Sequence, residues 1–76
     1  MTTLSDTGSR YRIILRGECR SLLAGILGHA TIESGRGLTR VLVWVRDESE
    51  LYGLLDRFQD LALHMVSLKE LGPDPG

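Results

Sequence analysis

The chain has 76 residues, a formal net charge of −1 and a single cysteine, Cys19. This length is sufficient for one domain and too short for two. The near-neutral charge gives no general attraction to nucleic acid or to an anionic membrane, and one cysteine excludes a disulfide within the chain. Because a domain of this size buries only about 60% of the surface of its unfolded chain, oligomerisation is an available route to extra stability.

Both ends of the chain have the composition of disordered segments. Residues 1–9 read MTTLSDTGS and residues 72–76 read GPDPG, which predicts a disordered leader and a disordered tail around a single domain at residues 10–71. The leader lacks the apolar core of a signal peptide. The longest apolar runs, about five residues, fall far short of the roughly 20 that a membrane helix needs. With its lone cysteine, the chain is predicted to reside in a reducing cytoplasm and not in a membrane.

The first half of the domain predicts a strand, a short helix and a second strand. Apolar and basic side chains alternate in residues 10–18 (RYRIILRGE), a pattern typical of a half-buried strand. Residues 19–28 (CRSLLAGILG) place apolar residues at helical spacing and predict a short helix, with Ser21 as its N-cap and Gly28 at its end. Residues 29–34 (HATIES) predict a short strand.

The second half predicts a hairpin, a long helix and a last strand. The GRG sequence at residues 35–37 predicts a tight turn, followed by a clearly alternating strand at residues 38–46 (LTRVLVWVR). A D-x-x-E capping pattern opens a helix at residues 47–63, which carries a single apolar stripe. Residues 64–71 (HMVSLKEL) predict the last strand.

The order of these elements predicts the fold class. Strand, helix, strand, strand, helix, strand is the split βαββαβ pattern of ferredoxin-like folds. Right-handed crossovers place the first and third strands in the centre of a four-stranded antiparallel sheet, with both helices on one face. The chain is therefore predicted to be an α+β domain whose other sheet face is covered by no helix; we call that side the open face.

The alternation of the central strands predicts which side chains lie on the open face. Thr39, Val41, Val43 and Val45 share one face of their strand, which we expect to turn toward the apolar stripe of the long helix. The side chains on the opposite face are a mixture of apolar and basic ones. They are Arg12, Ile14, Arg16, Arg40, Leu42, Trp44 and Arg46, and the edge strands add Met65, Ser67, Lys69, Thr31 and Glu33. The predicted contact residues are the seven of the central strands together with Met65. An apolar patch rimmed by arginines is typical of a contact surface. A register displaced by one residue would instead place Trp44 in the core.

Residues able to carry chemistry occur singly, at spacings that fit no catalytic or metal motif. Cys19 precedes the first helix, and His29 and His64 follow helices, with no spacing that brings the three together. Asp56 and Asp60 are one helical turn apart, as an acid–base pair would be, but that spacing is more common on a solvated helix face. The sequence therefore predicts no catalytic residue, no metal and no cofactor.

The second half of the chain carries a recognisable pattern. Residues 45–47 and 51–61 read V-x-D…L-x-G-L-L-x-R-x-x-D-L. In this pattern, and more loosely over residues 41–68, the chain resembles a family of short uncharacterised actinobacterial proteins. The resemblance implies this fold and a bacterial cytoplasmic origin, and it implies no activity. Gly53, one of the matching positions, lies within the long helix and predicts the close approach of a neighbouring element.

These observations predict a small non-catalytic interaction domain. It would self-associate as a homodimer, or bind a protein partner, through the open face. One alternative is a small-molecule-binding regulatory domain, for which only the fold class argues. The other is a weak single-stranded nucleic-acid binder, which ranks low because Trp44 is the one aromatic residue on the central strands of that face.

Overall fold

A computed structural model describes residues 8–28 and 30–72 of the chain. His29, most of the predicted leader and all but the first residue of the predicted tail lie outside the described residues. The elements are β1 (Ser9–Arg16), α1 (Arg20–Ala24), β2 (Thr31–Gly35), β3 (Leu38–Val45), α2 (Glu48–Asp60) and β4 (Met65–Gly72). Their order is the predicted one, and the strands extend the predicted domain by one residue at each end.

The four strands form one sheet in the order β2-β3-β1-β4. Each pair of neighbours is antiparallel, so β1 and β3 are central, and Ile13 lies opposite Val41. The chain is thus an α+β protein with a four-stranded antiparallel sheet and two helices.

The core lies on one side of this sheet. Burial along β3 alternates strictly, because every second side chain from Thr39 to Val45 is buried and the others are exposed. One cluster joins the two central strands to both helices, so both helices lie on the same side. Its members are Ile13, Leu15, Leu23, Val41, Val43, Val45, Leu51 and Phe58. Trp44 lies outside the cluster, and the alternation is that of the predicted register.

The first helix is shorter than predicted. It spans five residues and begins after Cys19, which stands at the N-cap, so the prediction of Ser21 as N-cap is wrong. The Cys19 side chain makes no hydrogen bond to the first turn of the helix. It ends at Gly25 and not at Gly28. A glycine costs a helix about 1 kcal/mol relative to alanine, and a helix this short has few hydrogen bonds to offset that cost. The burial of Leu23 in the core holds α1 in place.

The second helix begins as predicted. The Asp47 carboxylate accepts a hydrogen bond from the backbone N–H of Glu50 at 2.9 Å, which satisfies one free donor of the first turn. The Glu50 carboxylate in turn accepts from the backbone N–H of Arg46 at 2.6 Å. This reciprocal pair resembles a capping box displaced by one residue.

The C-terminal end of α2 lies three residues before the predicted one. Ala62 adopts a left-handed conformation, with φ at +60°. Its N–H donates to the carbonyl of Gln59 at 2.9 Å, and the N–H of Leu63 donates to the carbonyl of Phe58 at 3.0 Å. These two bonds form a Schellman motif, which stops the helix although the apolar stripe continues.

No helix among the described residues has the length and apolar content needed to cross a membrane.

The hairpin between β2 and β3 has the predicted tight turn. Gly35 pairs with Leu38 across the sheet, which leaves Arg36 and Gly37 as the two turn residues. Their φ values of +56° and +78° are those of a type I′ turn, whose twist matches that of the flanking strands.

Candidate functional site

The open face consists of cross-strand rows in which basic and apolar side chains are neighbours. Arg12 on β1 lies opposite Leu42 on β3, and Ile14 lies opposite Arg40. Cross-strand partners in an antiparallel sheet share a face and have Cβ atoms about 5 Å apart. The sheet therefore brings these side chains together on the side away from the helices.

Most of the predicted contact residues lie on this face. Leu42 and Trp44 are 37% and 41% exposed, large fractions for side chains of this size. Arg16 and Arg40 are exposed, and Ile14 and Arg12 are half-buried. The central strands thus hold six of the eight predicted residues on one continuous surface.

The other two predicted residues lie apart from that surface. Arg46 follows the end of β3; its backbone hydrogen-bonds to Glu50, and its guanidinium lies 4.0 Å from the same carboxylate. It belongs to the start of α2. Met65 is exposed, but it pairs with Leu15, whose side chain lies in the core. An irregularity in the pairing next to Ile14 shifts the register of β4 at this point, so Met65 leaves the face that Ser67 and Lys69 follow.

Of two further basic residues of the open face, Lys69 was predicted to lie there and Arg10 was not. Arg10 pairs with Trp44, and Lys69 pairs with Arg12, so both share that face. For Arg10, the signal was its spacing of two residues from Arg12, which puts both on one side of a strand. Arg10 was assigned to the first residue of the strand, where alternation gives little information.

The open face has an excess of positive charge. Among the residues that the structure describes, five basic side chains, Arg10, Arg12, Arg16, Arg40 and Lys69, share it with one carboxylate, Glu33. Glu33 forms an ion pair with Arg40, and the hydrogen bond and charge of that guanidinium lower the pKa of the carboxyl below its usual value. Glu33 is therefore ionised at neutral pH and offsets only Arg40. Among residues 8–28 and 30–72, the other four cations have no ion-pair partner.

The opposite side of the molecule is acidic. The start of α2 carries Glu48 and Glu50 beside the Asp47 cap, and its exposed side carries Asp56 and Asp60. These carboxylates give a near-neutral chain two sides of opposite charge. A field of this kind orients an approaching charged partner, even though the net charge is close to zero.

Trp44 is contacted by the residue that precedes β1. Gly8 is buried and has φ at +67°. A Cβ atom at this position would lie 2.7 Å from the Trp44 atoms Cε2 and Cζ2 and 2.4 Å from the Val45 carbonyl oxygen. Only glycine allows the backbone to pass this close to the indole ring, so Gly8 covers part of the one tryptophan of the chain.

We expect Gly8→Ala to displace the Trp44 ring. The added methyl group has no space, and the ring is the movable neighbour, so the tryptophan emission maximum should shift and the protein should lose roughly 1–2 kcal/mol of stability. Gly17→Ala is the matched control: Gly17 also has a positive φ, +92°, but nothing lies within 4 Å of its Cβ position. The control should lose stability without a shift in emission. An identical emission spectrum for both variants would contradict the contact.

The residues with reactive groups have structural partners. The Thr39 hydroxyl donates to the Gly17 carbonyl at 2.7 Å and accepts from the backbone N–H of Cys19 at 2.9 Å. The Cys19 thiol also donates to this hydroxyl, at 3.4 Å. Ser34 Oγ lies 3.0 Å from the same oxygen. Cys19 thus helps to fasten the β1–α1 connection to β3.

The other residues considered for chemistry do not come together. Asp56 and Asp60 are exposed on α2, and the His64 carbonyl accepts from the backbone of Arg16 at 2.8 Å. In the part of the chain that the structure describes, no three His, Cys, Asp or Glu side chains are grouped to hold a metal ion.

A shallow groove lies between α2 and the loop after α1. It has a volume of about 400 Å³, and its walls include Leu27, Leu54, Arg57 and residues 43–45 of β3. Gly53 also lines it, with nothing within 4 Å of its Cβ position. The expectation that Gly53 admits a close neighbour is therefore wrong for the described residues. The glycine leaves the groove open instead.

The family model described as "Domain of unknown function (DUF8691)" matches residues 10–69. The chain belongs to the DUF8691 family. Neither a curated protein nor a solved structure matches it. The match begins at Arg10 and ends at Lys69, so the DUF8691 domain contains all five cations of the open face and most of β4. Gly8 and the end of β4 lie outside the matched range.

Proposed function

We propose that this DUF8691 domain is a non-catalytic interaction module that binds an acidic protein partner through its open face. The observation that carries the proposal is the pattern of that face, where four cations without an ion-pair partner among the described residues lie beside exposed Leu42 and Trp44 and half-buried Ile14. Arginine and tryptophan are the residue types that most often dominate binding energy. An acidic segment with apolar side chains complements such a surface in both charge and polarity.

The charges favour a different protein over a second copy at this face. Two open faces packed together would bring Arg10, Arg12, Arg16 and Lys69, the cations that Glu33 does not offset, against the same four cations of the other copy. Like charges across an interface cost several kcal/mol. An acidic partner replaces this repulsion with attraction. Self-association through the open face is therefore the weaker form of the interaction hypothesis.

The same surface is poorly suited to nucleic acid. Single-stranded nucleic acid is held by stacking of its bases on several aromatic side chains. Trp44 is the one aromatic residue of the described open face, and the backbone of Gly8 lies against its ring. The cations alone would give weak, sequence-independent and salt-sensitive binding.

We also infer a ferredoxin-like split βαββαβ fold and a cytoplasmic protein of bacterial, specifically actinobacterial, origin. The element order and the central position of β1 and β3 support the fold. The free thiol of Cys19 supports a reducing compartment. The V-x-D and L-x-G-L-L-x-R sequences of the second half support the origin.

A binding titration with two probes of equal charge tests the function. We expect a dye-labelled peptide of alternating glutamate and leucine to change the Trp44 emission and to gain polarisation on binding. Its affinity should fall between about 0.05 and 0.5 M salt as the cations are screened. An oligothymidylate with the same charge should bind at least about tenfold more weakly. Its bases can stack on one aromatic ring of the described open face, Trp44, and Gly8 covers part of that ring. No response to the peptide, or tighter binding of the oligonucleotide, would reject the proposal.

A further inference from the structure

The most exposed element of the sheet is β4. It lies at the edge of the sheet and pairs only with β1 among the described strands. Its eight residues include no buried side chain. A long edge strand presents a row of N–H and C=O groups that another strand can pair with. The other edge strand, β2, has only five residues, so β4 is the stronger site for strand addition.

The helix side of β4 carries an apolar side chain that the described residues leave partly exposed. Leu68 pairs with the buried Ile13, so it faces the helix side of the sheet, yet it is 37% exposed. Val66 is 50% exposed, and Tyr52 on α2 is 58% exposed.

We propose that a second copy of this chain pairs antiparallel with β4, with Leu68 of both copies at the two-fold axis. This pairing would make a continuous eight-stranded sheet. Leu68, exposed on the helix side of the sheet, would then meet its own equivalent. A closed two-fold dimer covers both β4 edges at once, which adds stability to a domain of this size.

The charges on β4 select the register. Residues that lie opposite one another in an antiparallel pair point to the same face of the sheet. When the two strands are related by a two-fold axis, this condition requires that one residue lies opposite its own copy. A register centred on Lys69 or Glu70 would place like charges in contact. A register centred on Leu68 places Lys69 opposite Ser67, with no like-charge pair, and both of these residues share the face of Arg12 and Ile14. A register centred on Ser67 would instead place Lys69 opposite Met65, which pairs with Leu15 and so lies on the other face.

This dimer leaves the open face exposed and does not depend on the proposed function. The edge of β4 and its helix side form the contact, while the cations of the open face stay in solvent on one side of the enlarged sheet. A variant can therefore lose the dimer and still bind the peptide, or lose peptide binding and still form the dimer. Each loss is measured on its own variants.

The first test is the mass of the full chain by light scattering across a dilution series. We expect a dimer for the natural chain, a monomer for Leu68→Glu, and a dimer for the matched control Leu42→Glu. Leu68 and Leu42 have the same exposed fraction, 37%, so the two changes add the same charge at equally exposed sites. A monomeric natural chain would overturn the proposal. So would a monomer for Leu42→Glu beside a dimer for Leu68→Glu.

The second test keeps the proposal falsifiable if Leu68→Glu fails to fold. In a Cys19→Ser background, we expect Leu68→Cys to form a disulfide-linked dimer on mild oxidation. Residues directly opposite one another have Cα atoms about 4.5–5.5 Å apart, within the range of a disulfide. Ser67→Cys is the control, because its two copies would lie about two residues apart along the strands and out of reach. Faster cross-linking of Ser67→Cys, or none by Leu68→Cys, would overturn the proposed register.

Discussion

Replacing Thr39 with valine is expected to cost this domain about 2–4 kcal/mol of its free energy of unfolding. Valine has nearly the same shape, so the core keeps its packing, and the change removes the hydroxyl alone. The Gly17 carbonyl then loses its donor and the Cys19 N–H loses its acceptor. Each polar group left without a partner in a shielded site costs about 1–3 kcal/mol. A domain of this size has a free energy of unfolding of roughly 5 kcal/mol, so the substitution would remove about half of it or more.

Urea unfolding measured by far-ultraviolet circular dichroism checks this expectation. Thr39→Ser is the matched control, since it keeps the hydroxyl and removes one methyl group, a loss of about 1 kcal/mol. Ser34→Ala removes a third member of the group at an exposed position and should cost less still. If Thr39→Val were as stable as Thr39→Ser, the hydroxyl would not be what holds the β1–α1 connection to β3.

The importance of Thr39 shows what strand alternation predicts and what it omits. The sequence predicts correctly that Thr39 lies on the inner face with Val41, because position in a strand decides the face. It does not predict the partners of the hydroxyl. Those partners come from Gly17 and Cys19, which reach Thr39 only when β1 and β3 pair and the chain turns into α1. A contact between residues about 20 positions apart follows from the fold and not from local pattern.

The ends of the helices were predicted less well than the strands for a related reason. The apolar stripe of α2 continues through Leu61 and Ala62, and periodicity alone extends the helix over them. The backbone ends the helix at Asp60, because two hydrogen bonds around Ala62 satisfy the last carbonyl groups. Apolar spacing reports which side of the chain is buried, whereas the point where a helix ends depends on hydrogen bonds that it does not report.

The candidate surface was predicted in outline and altered at its two ends. Six of its eight residues lie on the central strands, where both neighbours fix the register. Met65 lies next to an irregularity on the edge strand, and a shift of one residue there changes the face. Arg46 lies where β3 gives way to the cap of α2. Alternation is a reliable guide in the middle of a paired strand and a poor one where pairing stops.

Net charge was the most misleading quantity of the sequence. A value of −1 suggests no electrostatic preference, yet the cations of β1, β3 and β4 gather on one side of the sheet and the carboxylates of α2 lie on the other. The period of a strand sorts residues between two faces, so charges that cancel over the chain need not cancel on a surface. A partner experiences the local field within about a Debye length, roughly 10 Å at 0.1 M salt.

Reversing two charges of the open face, with Arg10→Glu and Arg12→Glu combined, is expected to weaken binding of the acidic peptide by about 100-fold or more. Arg10 lies opposite Trp44 and Arg12 opposite Leu42, so each new carboxylate would stand beside an apolar contact and repel the glutamates of the peptide. A loss of about 2.7 kcal/mol corresponds to this factor. The measurement is fluorescence polarisation of the labelled peptide, after circular dichroism has shown that the variant is folded.

The matched control is Arg20→Glu combined with Arg57→Glu, which changes the net charge by the same amount. Both residues lie on helices and so on the other side of the sheet, and this variant should bind within about threefold of the natural chain because only the long-range field differs. Neutral replacement, Arg10→Gln with Arg12→Gln, should fall between the two, since it removes attraction without adding repulsion. Equal losses of peptide affinity in the helix variant and the open-face variant would show that binding depends on the total charge of the protein. That result would contradict the assignment of the open face as the binding surface.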